Sequence, residues 1–309
     1  MAEYNKSTSQ YNNTKSVATK FLRRVLSAVL RALPRNAPAF IYTNILKPRP
    51  LRTLANALLR AMIPHTISIP EGELILNPND PVVSGALMLG AYEVSFATVL
   101  RKALSPRMTV VDIGANIGYY TLIASATVGS EGRVIVYEPE PENLDILKTM
   151  IATNRLENVT VVPTAVGESV GQATLYVDPH NKGKHTLLPV SGNTPTTVAT
   201  ITLDASLQHL DVGRVDLIKM DIEGWEIKAF HGMQNTLKRD HPKIFFEFAP
   251  VRIRETGENP LAALEELITL GYTLEAIDEK TGALHVINDP SLFIGTLHGY
   301  DGYANIAAS

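Results

Sequence analysis

A doubly wound α/β sheet is the fold the sequence predicts, and three observations predict it. Met108 to Ile113 is an apolar run that breaks into Gly114-Ala115-Asn116-Ile117-Gly118 and passes into a helical pattern from about Tyr119. A second apolar run, Arg133 to Tyr137, ends on Glu138. Further on, Val215 to Met220 and Lys243 to Phe246 are short apolar runs that deliver Asp221, Glu223 and Glu247 at their C-terminal ends. Strands apolar on both faces belong in a parallel sheet covered by helices. Strand, glycine turn, helix, strand, acid is one half of a nucleotide-binding unit. Glu138 lies 26 residues beyond Asp112, close to the spacing of a carboxylate that takes two ribose hydroxyls.

The remaining elements follow in chain order. Residues 1–15 are polar and aperiodic and read as a disordered tail. Ser16 to Leu33 is helical, with Val17, Phe21, Val25, Val29 and Leu33 at steps of four and Lys20, Arg23, Arg24 and Arg31 beside them. Pro34 to Pro50 is an irregular connector, and Leu51 to Met62 a second helical patch stopped by Pro64. Together 16–80 make a basic helical extension, closed by a small hairpin over Thr66 to Leu76 and a Pro/Asn/Asp loop.

The catalytic body is expected over 81–290. Gly85 to Ala103 reads as one helix that carries Glu93 into the opening strand. Pro141 to Thr153 is a helix with proline in its first turn. Val159 to Val162 is the third strand, followed by Thr164-Ala165-Val166-Gly167. Thr174 to Asp178 is one arm of an inserted hairpin, and the polar loop Asp178 to Pro195 holds His180, Lys182, Lys184 and His185. Asp204 caps a short helix after the strand Val198 to Leu203. Trp225 to Leu237 and Leu261 to Leu270 are helical, and Tyr272–Ile277 and Ala283–Ile287 form an antiparallel pair. The tail, 291–309, has no assigned place.

Charge and composition narrow the function. Of 28 bases, 11 fall in residues 1–65, where Glu3 is the only acid; the rest of the chain holds 17 bases and 30 acids. An acidic body repels phosphates, so nucleic acid is not expected as a partner. The basic arm, 16–62, suits either packing on that body or peripheral contact with an anionic membrane. Arg23, Arg24 and Arg31 interrupt any secretory core, and no run reaches the roughly 18–20 apolar residues of a bilayer span. A cytoplasmic protein with an option of membrane-surface contact is the resulting expectation. The absence of cysteine excludes disulfides, thiolate metal sites and a cysteine nucleophile.

The glycine turn selects the nucleotide. It reads Asp-x-Gly-x-x-x-Gly where a dinucleotide turn would read GxGxxG against a pyrophosphate. A carboxylate at Asp112 disfavours phosphate and favours an ammonium group, and S-adenosylmethionine has ribose, ammonium and sulfonium but no phosphate. Clustered carboxylates at the other strand ends raise one another's pKa toward that of a neutral-range base, or hold a hard cation.

VDIGANIGYYT, YEPEPENLDILKTMIATN, the Ala165-Val166-Gly167 turn, LIKMDIEGWEIKAFHG and FFEF resemble the FkbM-type S-adenosylmethionine-dependent methyltransferases over roughly Gly90 to Ile277. The resemblance implies a class I methyltransferase (Rossmann-like) fold, a mostly parallel seven-stranded sheet with a reversed last strand. It implies methylation of a hydroxyl on a saccharide, lipid or natural-product acceptor. Asp112, Gly114 and Asn116 match the motif that faces the methionine part of the cofactor, with Gly118 closing the turn. Glu138 matches the ribose acid, and Thr164, Ala165 and Gly167 the turn near adenine. Glu93 is grouped with these cofactor residues.

Asp221 and Glu223 match the acidic turn where acceptor meets methyl group. One of them is expected to be the base, with His185 reaching in from the polar loop; Trp225 is a core anchor or a pocket wall. No metal ligand is assigned. A Mg²⁺-dependent O-methyltransferase and a non-catalytic nucleotide-binding protein on the same fold are the alternatives.

Overall fold

A computed structural model of the chain describes Asn56, Arg60 and residues 62–178, 183, 185–299 and 302–309. The expectations for residues 1–55, for most of the Leu51–Met62 helix and for His180, Lys182 and Lys184 lie outside the described residues. The chain divides into two compact units, Met1–His65 with Leu76–Tyr92, and Thr66–Ile75 with Glu93–Ser309. No helix among the described residues is long and apolar enough to cross a membrane.

In the first unit, the helix Val83–Met88 starts on Asp80, whose carboxylate accepts the N–H groups of Val82, Val83 and Ser84. Ser84 Oγ in turn accepts the Asn77 N–H and closes the preceding turn. A buried carboxylate is tolerated here because it takes up helix-terminal donors that have no other partner.

The second unit contains the strands. In chain order they are β1 (Thr66–Ile69), β2 (Gly72–Ile75), β3 (Thr109–Ile113), β4 (Arg133–Tyr137), β5 (Val159–Val162), β6 (Ala165–Val166), β7 (Gly171–Val177), β8 (Thr194–Ile201), β9 (Leu217–Met220), β10 (Lys243–Phe248), β11 (Leu274–Ile277), β12 (Leu284–Val286) and β13 (Ala304–Ala308). Eight of them form one sheet in the order β12-β11-β13-β10-β9-β3-β4-β5. From β5 to β10 every neighbouring pair is parallel. β13 runs antiparallel to both β10 and β11, and β12 adds an antiparallel edge. The expected seven-stranded pattern with a reversed strand is present, widened by β12. The reversed strand comes from the tail that the sequence left unassigned.

Strand order changes direction between β3 and β9. The chain runs outward from β3 through β4 to β5, then returns to β9 on the other side of β3. Such a switch point opens a crevice at the carboxyl ends of the two central strands. The glycine turn after β3 and the Asp221 turn after β9 therefore meet there. Val134, Ile135, Val136 and Tyr137 of β4 are all fully buried, which is why no alternation of apolar and polar residues appears in that strand.

Three helical expectations change in the structure. Gly85–Ala103 is two helices, Val83–Met88 and Val94–Ala103, with Gly90 and Glu93 at positive φ between them. Trp225–Leu237 is also two, Glu226–His231 and Gln234–Asp240. At the second break Gly232 lies so close to Gly167 that a Cβ would come within 2.0 Å of its carbonyl oxygen. Thr202, not Asp204, caps the helix Leu203–His209. Asp204 accepts the N–H groups of Asn235 and Thr236 and so binds the next helix pair instead.

The inserted hairpin is β7 with β8, joined on its far side by β6 in a small sheet of its own. The β1–β2 hairpin is tied to the helix Pro141–Asn154, where Asn154 accepts the Glu73 N–H at 2.8 Å and donates to the Glu73 carbonyl at 2.7 Å.

Candidate active site

The turn after β3 is built by close backbone approach. Gly114 has φ +74°, and a Cβ there would lie 2.1 Å from the Asp221 carbonyl oxygen. Its N–H and that of Ala115 donate to the Tyr137 carbonyl, and the Asp221 N–H donates to Ile113. Asn116 is also left-handed, at φ 53°. Gly118 is buried beneath the helix Pro141–Asn154, with no room for a side chain against Met150 and Leu147. It closes the turn as expected, but from inside the core. Glu138 accepts the Asn116 N–H at 2.7 Å and the Glu140 N–H at 2.9 Å, which fastens the turn to the end of β4. Burial pushes its carboxyl up to about 7 against those hydrogen bonds.

Asp112 does not stand where the charge argument put it. The residue is 1% exposed, and its side chain accepts a hydrogen bond from Thr121 Oγ1 and lies 3.4 Å from Lys219 Nζ. Asp112 and Lys219 are register partners on β3 and β9. The Lys219 ammonium also donates to the Gly114 carbonyl at 3.0 Å and sits 5.1 Å from the Tyr120 ring centroid. Burial pulls the lysine pKa down, and Asp112, Asp221 and Glu93 more than offset it, so the pKa lies above the ordinary value. Asp112 is thus neutralised behind the turn.

The Tyr120 hydroxyl donates to Glu93 Oε2. Burial first, and then Asp221, lift the Glu93 carboxyl to about 7.

Asp221, Glu223 and Glu247 converge, one oxygen from each lying within 4.8 Å of the others. Glu223 and Gly224 are both left-handed, which turns the chain sharply after β9. Arg252, 7% exposed, pairs with Glu223 and, at 3.2 Å, with Glu247. Glu226 is buried at the start of its helix, and its Oε1 accepts the Ile222 and Gly224 N–H groups. Burial raises its carboxyl to about 7. Tyr303, just before β13, faces the same group: burial and the charges of Glu279, Glu247, Glu93 and Asp221 push its phenol up.

The polar loop approaches this turn through Thr186, whose hydroxyl donates to the Glu223 carbonyl at 3.1 Å. His185 Nδ1 accepts the Asp178 N–H, so its ring is oriented on the base of its own loop. After β5, Ala165 lies in β6 and packs with Leu175 and Val198, and the Gly167 N–H donates to Ile201. Thr164 Oγ1 is buried without a hydrogen-bond partner among the described residues. Trp225 flanks Gly167 and carries Lys228 over its ring at 5.5 Å.

Lys219, Tyr120, Glu226, Arg252 and Tyr303 were not singled out from sequence. Only Lys219 had a signal, a lone cation inside the apolar strand Leu217–Met220.

A glycine turn after the first parallel strand, an acid after the second, and an antiparallel strand set between β10 and β11 define a class I S-adenosylmethionine-dependent methyltransferase fold. The model of the methyltransferase FkbM domain matches residues 112–274, just over half of the chain, and the chain belongs to that family. Hexuronic acid methyltransferase AglP of Haloferax volcanii is 28% identical to it, the match covering 41% of this chain and 50% of the relative. Methyltransferase sdnD of Sordaria araneosa is 26% identical, with 40% and 60% covered. The chain therefore spans only about half the length of these curated relatives. Among solved structures, methyltransferase FkbM from Methylobacillus flagellatus KT is 17% identical, with a TM-score of 0.42 over 85% of this chain and 60% of the other.

Proposed function

We propose that the chain transfers a methyl group from S-adenosylmethionine to a hydroxyl of a small-molecule, saccharide or lipid acceptor, with Asp221 as the base. The observation that carries this reading is the difference between the two candidate acids. Glu223 is paired with Arg252, whereas the Asp221 carboxylate has no ion pair among the described residues and the Asp221 backbone carbonyl itself packs against Gly114.

The cofactor supplies an activated methyl group. In this reading the Gly114–Gly118 turn carries the methionine end, with Glu93 and Asn116 beside it and Asp112 behind. Glu138 takes the ribose hydroxyls, since each carboxylate oxygen keeps a lone pair after accepting one backbone N–H. The Thr164, Ala165 and Gly167 segment lies toward the base, where the Thr164 hydroxyl is left to bond. The bound cofactor would supply its methyl group to the acceptor hydroxyl at this turn, and Asp221 would take the hydroxyl proton. A base within about 2.6–3.2 Å of that proton contributes roughly 10²–10⁴-fold. Glu223 and Arg252 hold the turn, and His185 enters only if its loop shifts. The name of the hexuronic acid methyltransferase supports a saccharide among the acceptor classes.

Asp221→Asn is expected to lower turnover by roughly 10²-fold or more with cofactor affinity retained. Full turnover would remove Asp221 as base. The convergence of Asp221, Glu223 and Glu247 also suits a divalent cation, but Arg252 already gives two of them a positive partner. Activity is therefore expected to survive a chelator. Loss of activity restored by Mg²⁺ would transfer the reading to metal-assisted methylation.

A further inference from the structure

Lys219 is buried at the centre of β9, 3% exposed, where an aliphatic side chain would fill the space without a desolvated charge. It is retained between three groups: the Gly114 carbonyl at 3.0 Å, Asp112 Oδ1 at 3.4 Å and the face of Tyr120 at 5.1 Å. Asp112 is further held by Thr121 and lies 1% exposed. The Tyr120 hydroxyl continues the chain of contacts to Glu93, a non-glycine residue at φ 39° that opens the helix Val94–Ala103. The left-handed conformation is costly there and persists because the contacts around it hold it.

We propose that Lys219 is a positioning residue of the cofactor turn. By neutralising Asp112 and fixing the Gly114 carbonyl it withdraws Asp112 from the ligand, and Glu93 becomes the carboxylate that meets the cofactor's positive charge. The proposal rests on the reading of this turn as the S-adenosylmethionine site. Asp221, Lys219, Glu279, the Tyr120 hydroxyl and the phenols of Tyr303 and Tyr119 are the charged and titratable groups that face Glu93 among the described residues. The Lys219 ammonium pairs with Asp112 at 3.4 Å and also faces Asp221 and Glu93, so one ammonium stands against three carboxylates and the surplus charge on the ligand side is negative. The site then distinguishes a cationic ligand from a neutral one of the same shape. The sulfonium cofactor is such a cation, and its demethylated thioether product is not.

The test is calorimetric titration with two probes that undergo no transfer: sinefungin, whose amine carries a positive charge where the sulfonium would be, and S-adenosylhomocysteine, neutral at that centre. The readout is the ratio of their affinities, which a purely structural lysine would not move. Wild-type protein is expected to prefer sinefungin. Glu93→Gln should reduce that preference about tenfold, mainly by weakening sinefungin. Lys219→Met should raise the preference in whatever protein folds, because the released charge of Asp112 adds to that of Glu93. The double variant D112N/K219M, which removes both charges, should return the ratio to the wild-type value; a ratio unchanged in Lys219→Met, or in Lys219→Gln where Lys219→Met fails to fold, would overturn the role of Lys219. A ratio unchanged in E93Q, or a preference lost in D112N/K219M, would overturn the proposal. Folded wild-type protein that bound neither probe would instead refute the cofactor reading itself.

Discussion

Gly114 shows how little latitude single positions have at the switch point. Its positive φ is unfavourable for any side chain, and the Asp221 carbonyl fills the space a Cβ would need. Gly114→Ala is expected to cost about 2 kcal/mol or more of stability and to abolish cofactor binding. A melting curve paired with a titration checks both, and normal binding would contradict the packed turn.

Glu226 makes a different demand. Its folded pKa is raised to about 7 from the ordinary 4.5, so its contribution to stability is complete below pH 4.5 and is lost as pH rises through 7. Wild-type stability should fall across that window by at most about 1.4 kcal/mol per pH unit for this group. Glu226→Gln, which keeps an acceptor for Ile222 and Gly224, should flatten the slope without abolishing it, because Glu138 and Glu93 are raised to the same region. Melting temperatures taken at several pH values read the slope, and an unchanged slope would show that Glu226 is ionised throughout.

Strands carry the second scale. β3, β4, β9 and β10 were legible because strands covered on both faces leave unbroken apolar runs, and the acids that end them stand out against those runs. β13 was not legible. Its sequence, Ala304 to Ala308, is short, contains Asn305 and has only one large apolar side chain, Ile306. Yet it fills the gap between β10 and β11 and pairs with both. Removing residues 304–309 would leave two strand edges unpaired inside the sheet, and backbone groups buried there have no other partners. That truncation is expected to abolish cooperative unfolding by circular dichroism, whereas a dispensable tail would leave the transition intact.

The ion pairs were illegible for the same reason as β13. Lys219 with Asp112, and Arg252 with Glu223, join residues that only the strand order brings together, whereas Arg252 and Glu247 lie five residues apart in the chain. The Asp112 charge argument reached S-adenosylmethionine through a carboxylate that the fold pairs with a lysine from the neighbouring strand, which sequence did not reveal. Glu93, which sequence could place no more exactly than within one long helix, is freed by a helix break that leaves no signature beyond Gly90.

At the scale of the whole molecule, the crevice joins two kinds of turn at one place. In the proposed reading the glycine turn and Glu138 form its nucleotide side, and the turn after β9, with Asp221 against Gly114, forms its reaction side. Family membership and the strand order agree on a methyltransferase fold, and this juxtaposition supports the proposed methyl transfer. The basic residues of 1–55 lie outside the described residues, and for 16–62 packing on the body and peripheral contact with an anionic membrane are both proposals. The central claim is that one crevice binds S-adenosylmethionine, and calorimetric titration of the full chain with S-adenosylmethionine tests it most directly. The account predicts saturable binding of one cofactor per chain, lost in Gly114→Ala. Folded protein that gives no saturable binding would contradict it.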